Sequence, residues 1–236
     1  MSLKRVLMAA AASAALATSA QAAVVVLDFE GIADYPNSND VFVQDFYNGG
    51  TSSVGTSGTN YGISFGSNAL LICLNSTSVF CSNTSRGGEG NPNSREGALF
   101  FLDGDETFMN VAAGFETGFS FNYVSTTFSG SVGVYDGLDG TGNLLASIDL
   151  RPNAGFCPDY SAGFCPFGPA GIAFAGIAKS VSFGGVANQI VFDDITFGSS
   201  IPDPDPDPNV VPLPASLPLL LAGLGGIAAL RRRRRG

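Results

Sequence analysis

Short apolar runs, each broken within a few residues by Gly, Asn, Asp, Ser or Pro, set the rhythm of this 236-residue chain. Between its two ends no window carries the 3.6-residue period of an amphipathic helix, so the pattern predicts strands. They fall over residues 24–29, 62–65, 69–74, 97–102, 115–123, 131–135, 143–150, 172–174, 179–183 and 189–197. Within 115–123, Phe115, Thr117, Phe119, Phe121 and Tyr123 take one face and Glu116, Gly118, Ser120 and Asn122 the other. A period of two marks a half-buried strand. Residues 136–142, rich in Gly and Asp that tolerate positive φ, predict a hairpin loop between the strands at 131–135 and 143–150. About ten short strands with closely spaced turns predict an all-β fold, a β-sandwich of jelly-roll type.

The ends follow a different logic. Lys4 and Arg5 precede an apolar stretch over 6–17, and Ala20-Gln21-Ala22 supplies a small-x-small cleavage site. This predicts a helical signal peptide over 1–22, with Ala23 as the mature start. The sandwich domain then occupies 23–200 and a linker 201–210, in which Asp alternates with Pro from Pro202 to Pro208. Proline and like-charge repulsion hold such a segment extended, at ~3.1 Å per residue or roughly 20 Å in all. Residues 211–236 begin with Val211-Pro212-Leu213-Pro214-Ala215, continue as an apolar stretch over 217–230, and close on Arg231, Arg232, Arg233, Arg234 and Arg235. The eighteen residues of 213–230 form a membrane helix that barely reaches across a ~30 Å hydrocarbon core, its basic end held in the cytoplasm. A span so marginal suits a temporary anchor.

Motif, short span and arginine run, in that order, resemble the PEP-CTERM sorting signal of Gram-negative bacteria in its VPLPA form. The resemblance implies recognition by an exosortase in the inner membrane, followed by release or transfer of the upstream protein to the cell surface or the medium. An ordinary single-span tail anchor is the alternative reading.

Removing these ends changes the charge balance. The domain keeps seventeen acids but only Arg86, Arg95, Arg151 and Lys179 as bases, a formal charge of −13. Such a surface repels nucleic acid and anionic lipid and favours cations or neutral ligands. Nucleic-acid binding is excluded. The four cysteines form two close pairs, Cys73 with Cys81 and Cys157 with Cys165. In an exported protein each pair predicts a local disulfide. A metal–thiolate site is the other use of clustered cysteine, but the chain has no histidine and no Cys-x-x-Cys.

Candidate chemistry concentrates at the domain's two ends. The first strand runs into Asp28-Phe29-Glu30, and the last contains Asp193-Asp194. Strict alternation places Val191, Asp193, Ile195 and Phe197 on one face, and an aspartate among core residues is costly to bury unless paired or metal-bound. If the first and last strands are neighbours, Glu30 meets Asp193 or Asp194, and paired carboxylates invite a hard cation with oxygen ligands. These stretches resemble the terminal strands of MAM-type and carbohydrate-binding jelly rolls, and the resemblance implies a structural calcium held by Glu30, Asp193 and Asp194. The acidic stretches at 103–106 and 136–143 lack the closing glutamate of an EF-hand and read as turns.

Enzyme readings fare poorly. Without histidine there is no Ser-His-Asp or Cys-His arrangement, and no clustered Glu-x-Asp-x-x-Glu strand supports a jelly-roll glucanase. Six tyrosines could stack on sugars although tryptophan is absent; as residues of the core or its rim they need no ligand. The leading reading is therefore a non-catalytic surface or extracellular-matrix protein sorted by an exosortase and retained near exopolysaccharide. A carbohydrate-binding module acting on that exopolysaccharide is the alternative, and a polysaccharide hydrolase stands third.

Overall fold

A computed structural model describes residues 24–33, 40–74, 90, 91, 94, 96–156 and 163–202. The predicted signal peptide, most of the predicted linker and the predicted C-terminal sorting segment lie outside the described residues.

Twelve strands are described: β1 Val25–Leu27, β2 Val41–Phe42, β3 Ile63–Phe65, β4 Leu70–Cys73, β5 Gly97–Phe100, β6 Glu106–Phe115, β7 Gly118–Ser125, β8 Gly130–Tyr135, β9 Leu144–Leu150, β10 Gly168–Ala173, β11 Ala178–Gly184 and β12 Ile190–Phe197. They form two antiparallel sheets. One has the order β10-β7-β12-β5-β4-β2, with β1 also pairing β12; the other has the order β3-β6-β11-β8-β9. From β5 onward the chain passes repeatedly between the sheets, giving the predicted β-sandwich of jelly-roll type.

Phenylalanine fills the space between the sheets. Phe119, Phe121, Phe183 and Phe192 are fully buried there, and the Phe183 and Phe192 rings meet edge to face with centroids 4.9 Å apart. Such geometry adds ~0.5–1.5 kcal/mol to the burial itself. A second apolar cluster, including Leu70, Ile72, Ala98, Phe100, Val124 and Val191, lies on the other side of the larger sheet under Phe164. β4 and β5 are therefore buried on both faces, which is why their sequences read as continuous apolar runs rather than alternating ones.

Two local findings correct the sequence reading. The predicted strand at 115–123 is divided: β6 ends at Phe115, Thr117 turns the chain at φ 74, and β7 starts at Gly118. Most of β6 went unpredicted because Phe108 interrupts its alternation, lying outward while Thr107, Met109 and Val111 are buried. Second, Val191, Asp193, Ile195 and Phe197 do not share a face. Phe192 and Ile195 belong to the inter-sheet core, whereas Val191 packs in the outer cluster. The cause is a bulge: Asp193 pairs with Asn122 but Thr196 with Ser120, so β12 carries one extra residue there. A bulge reverses the in–out alternation beyond it.

Candidate functional site: a buried carboxylate cluster at the β12 bulge

The bulge coincides with a change of neighbour. β12 pairs with β5 at Phe192↔Leu99, then with β1 at Ile195↔Leu27 through Phe197↔Val25. At this split the chain leaving β1 delivers Asp28 and Glu30, while β12 delivers Asp193 and Asp194. The first and last strands are thus neighbours, as the sequence reading requires. Two residues hold left-handed backbone, Phe29 at φ 57 and Asp194 at φ 47. Such conformations cost on the order of 1–3 kcal/mol each for residues with a Cβ, and persist only where surrounding contacts fix them.

Backbone contacts fix Glu30. Its Oε1 accepts from the amides of Glu96 at 2.9 Å and Gly97 at 3.3 Å. Gly97 is required there, since a Cβ at this position would come within 2.1 Å of the Phe29 carbonyl oxygen. Asp193 and Asp194 are fully buried. Asp193 Oδ1 accepts from the Asp194 amide at 2.8 Å, whereas its Oδ2 has no hydrogen-bond partner among the described residues. Asp194 Oδ2 accepts from the side-chain amides of Asn91 and of Asn122, the latter at 3.2 Å.

Ser94 sits at the centre. Its hydroxyl lies 3.0 Å from Glu30 Oε1 and 3.3 Å from Asp193 Oδ1, and also meets the Asp28 carbonyl oxygen. One hydroxyl has one proton to donate, so three acceptors compete for it. Among the described residues the cluster has more buried acceptors than donors.

The electrostatics report the same imbalance. Burial, then the neighbouring Asp194 and Glu30 carboxylates, pushes Asp193 well above the usual carboxylate range. Burial also raises Asp28 and Glu30. Tyr47, whose phenolic oxygen accepts from the Phe29 amide at 3.0 Å, is held well above its ordinary value by burial and by the charge of Asp28.

The residues expected together from sequence, Glu30, Asp193 and Asp194, thus converge on one region, joined by Asn91, Ser94 and Asn122. Those three were not foreseen, and nothing local marks them: Asn91 and Asp194 are 103 residues apart. Among the described residues no group of three acidic, His or Cys side chains is placed to hold a metal ion. The acceptors gathered here are all oxygen, the ligand type a hard cation takes, and Asp193 Oδ2 has no hydrogen-bond partner among the described residues.

Elsewhere, Cys73 at the end of β4 and Cys165 are disulfide-bonded; Cys81 and Cys157, their expected partners, lie outside the described residues, so the pairing stays an expectation. The 136–143 stretch is a turn, with Asp136 accepting from the Asn143 amide at 2.7 Å and from its side chain at 2.8 Å.

No protein-family profile matches the chain, and no curated protein matches it. Among solved structures it is similar to a carbohydrate-binding module of Cellvibrio mixtus lichenase 5A in complex with cellotriose, at 10% identity and a TM-score of 0.34 over 56% of this chain and 88% of that one. It is also similar to two cleaved adhesin domains of Lys-gingipain from Porphyromonas gingivalis. The K1 domain matches at 13% identity and TM-score 0.37 over 74% of this chain and 96% of that one. The K3 domain matches at 15% and 0.33, over 74% and 98%. At these scores function has to be argued from this chain's own residues.

Proposed function

We propose that the chain is an exported surface or extracellular-matrix protein, sorted across the inner membrane by an exosortase, whose β-sandwich is non-catalytic. The observation that carries the sorting is the order of Val211-Pro212-Leu213-Pro214-Ala215, the short apolar span and Arg231–Arg235, opposite a signal peptide at the other end. The intact mass of protein recovered from cells and medium tests it. Loss of both ends is expected, and full-length protein on normal cells with its arginine tail intact would refute it.

The non-catalytic reading rests on burial. Asp193 and Asp194 are inaccessible to a polymer, so this carboxylate cluster cannot act on a glycosidic bond. Its role is structural. A calcium ion held by Glu30 and Asp193, with Asp194 a further ligand, supplies positive charge to a cluster rich in acceptors among the described residues and ties the first strand to the last.

A further inference from the structure

A different part of the molecule offers a surface to a ligand. On the outer face of the smaller sheet lies a trough of about 660 Å³, inside the ~300–1,000 Å³ span of small-molecule sites. Its floor is made of residues with little or no side chain. Gly184, Ser131 and Asp149 follow Glu106 across four strands in one row, and Ser182, Gly133 and Ser147 follow Phe108 in the next. One end is apolar, formed by Tyr135 and the exposed Leu144 directly opposite it. The other end is acidic, formed by Asp105, Glu106 and Asp149.

Three features shape this trough. The Tyr135 ring lies over Gly133, where a Cβ would come within 2.7 Å of it, so the ring lies low across the floor. The β8–β9 loop folds back beside that end. It is pinned where Ser180 Oγ donates to the Gly137 carbonyl at 2.6 Å and accepts from the Gly140 amide at 3.0 Å, and where Asn110 and Asp139 exchange hydrogen bonds of 2.6 and 2.8 Å. The Ser182 hydroxyl holds Glu106 against the floor. The wall is therefore preorganised, which lowers the ordering cost of binding.

We propose that this trough binds a neutral polysaccharide chain, with the C–H face of a sugar on Tyr135 and its hydroxyls donating to Asp149, Glu106 and the floor serines. Charge selects against other glycans: among the described residues no Arg or Lys lines the trough, so there uronates, sulfates and phosphates meet carboxylates. Spacing argues against a cation. Glu106 and Asp149 are separated by three inter-strand steps of ~4.8 Å, about 14 Å, whereas ligands of one calcium lie at ~2.3–2.6 Å from it. The other described tyrosines are otherwise engaged: Tyr47 in the core, Tyr61 against Tyr47, and Tyr123 on the Arg151 carbonyl. This site lies on the sheet opposite the carboxylate cluster and stands independently of the calcium and the sorting signal.

The test is a binding titration of the purified full chain in detergent against short neutral homo-oligosaccharides of glucose, mannose, galactose and xylose, beside uronate-containing and sulfated ones. Saturable binding to at least one neutral series and none to the anionic ones is expected. Tyr135→Ala should weaken it by about tenfold or more, as truncation of an aromatic anchor does. Asp149→Asn, at an exposed position that cannot unfold the domain, should weaken it with an unchanged melting temperature. No binding to any neutral series, a preference for the anionic ones, or undiminished binding by the Asp149→Asn protein would overturn the assignment.

Discussion

Replacing Asp193 by Asn separates the two ways in which the buried cluster could be balanced, by protons or by calcium. Asn keeps the oxygen that accepts from the Asp194 amide and from Ser94 while removing the charge. Without metal, the sign of the wild-type pH dependence follows from the raised carboxylates. Asp193, Asp28 and Glu30 all hold their protons to higher pH in the fold than in the unfolded chain. Stability is then greatest below the unfolded carboxylate range of about pH 4 and falls as pH rises toward the folded values, by ~1.36 kcal/mol per pH unit for each proton so retained. In chelator the wild type should therefore melt higher in mild acid than at neutrality. Calcium at a hundredfold excess over Kd restores ~2.7 kcal/mol, or roughly 5–11 °C in a domain of this size. It does so at neutral rather than acidic pH, because its ligands must be deprotonated. The Asp193→Asn protein should melt above wild type in chelator at neutral pH and gain little from calcium. Calorimetry from about pH 4 to pH 8 in chelator, calcium and magnesium reads all of this. A wild-type melting temperature that is insensitive to calcium and does not fall with pH in chelator would refute the reasoning.

Other expectations follow from single positions. Gly97→Ala forces a Cβ against the Phe29 carbonyl and should cost about 1–3 kcal/mol, with the loss of any calcium increment as its signature; an unaltered melting curve would contradict that packing. Disulfides Cys73–Cys81 and Cys157–Cys165 should appear in non-reducing peptide maps, and reduction should cost ~2–3 kcal/mol per loop without unfolding the sandwich; a bridge joining the two pairs would refute the assignment. Replacing Pro212 and Pro214 should leave unprocessed chain in the inner membrane, as should loss of the exosortase. Replacing Arg231–Arg235 should instead scramble retention, because the charges that bar passage through the bilayer are gone. Membrane fractionation with mass measurement distinguishes these outcomes, and normal processing of either variant would count against the sorting reading.

What the sequence determined by itself was local. The period of two in 119–123 and the turn residues of 136–142 fix strands and a hairpin through φ/ψ preferences and side-chain alternation, which act over a few residues. The proposed targeting ends rest on the same kind of local signal, hydropathy and charge in a short window, and lie outside the described residues. What the tertiary structure decided depends on pairings between distant residues. One extra residue in β12 reverses its faces, and no local pattern announces a bulge whose register is set by β7. Asn91 and Ser94 join the carboxylates because β12 changes partners beside them, across about a hundred positions of chain. Phe108 is an apolar residue at an outward position of β6, beneath a loop that approaches closely because residue 140 is Gly. The trough was illegible for the same reason, because Tyr135, Asp149 and Glu106 belong to separate strands whose order the chain never spells out. Burial and like-charge repulsion then did what composition could not, raising Asp28, Glu30 and Asp193 above the ordinary carboxylate range.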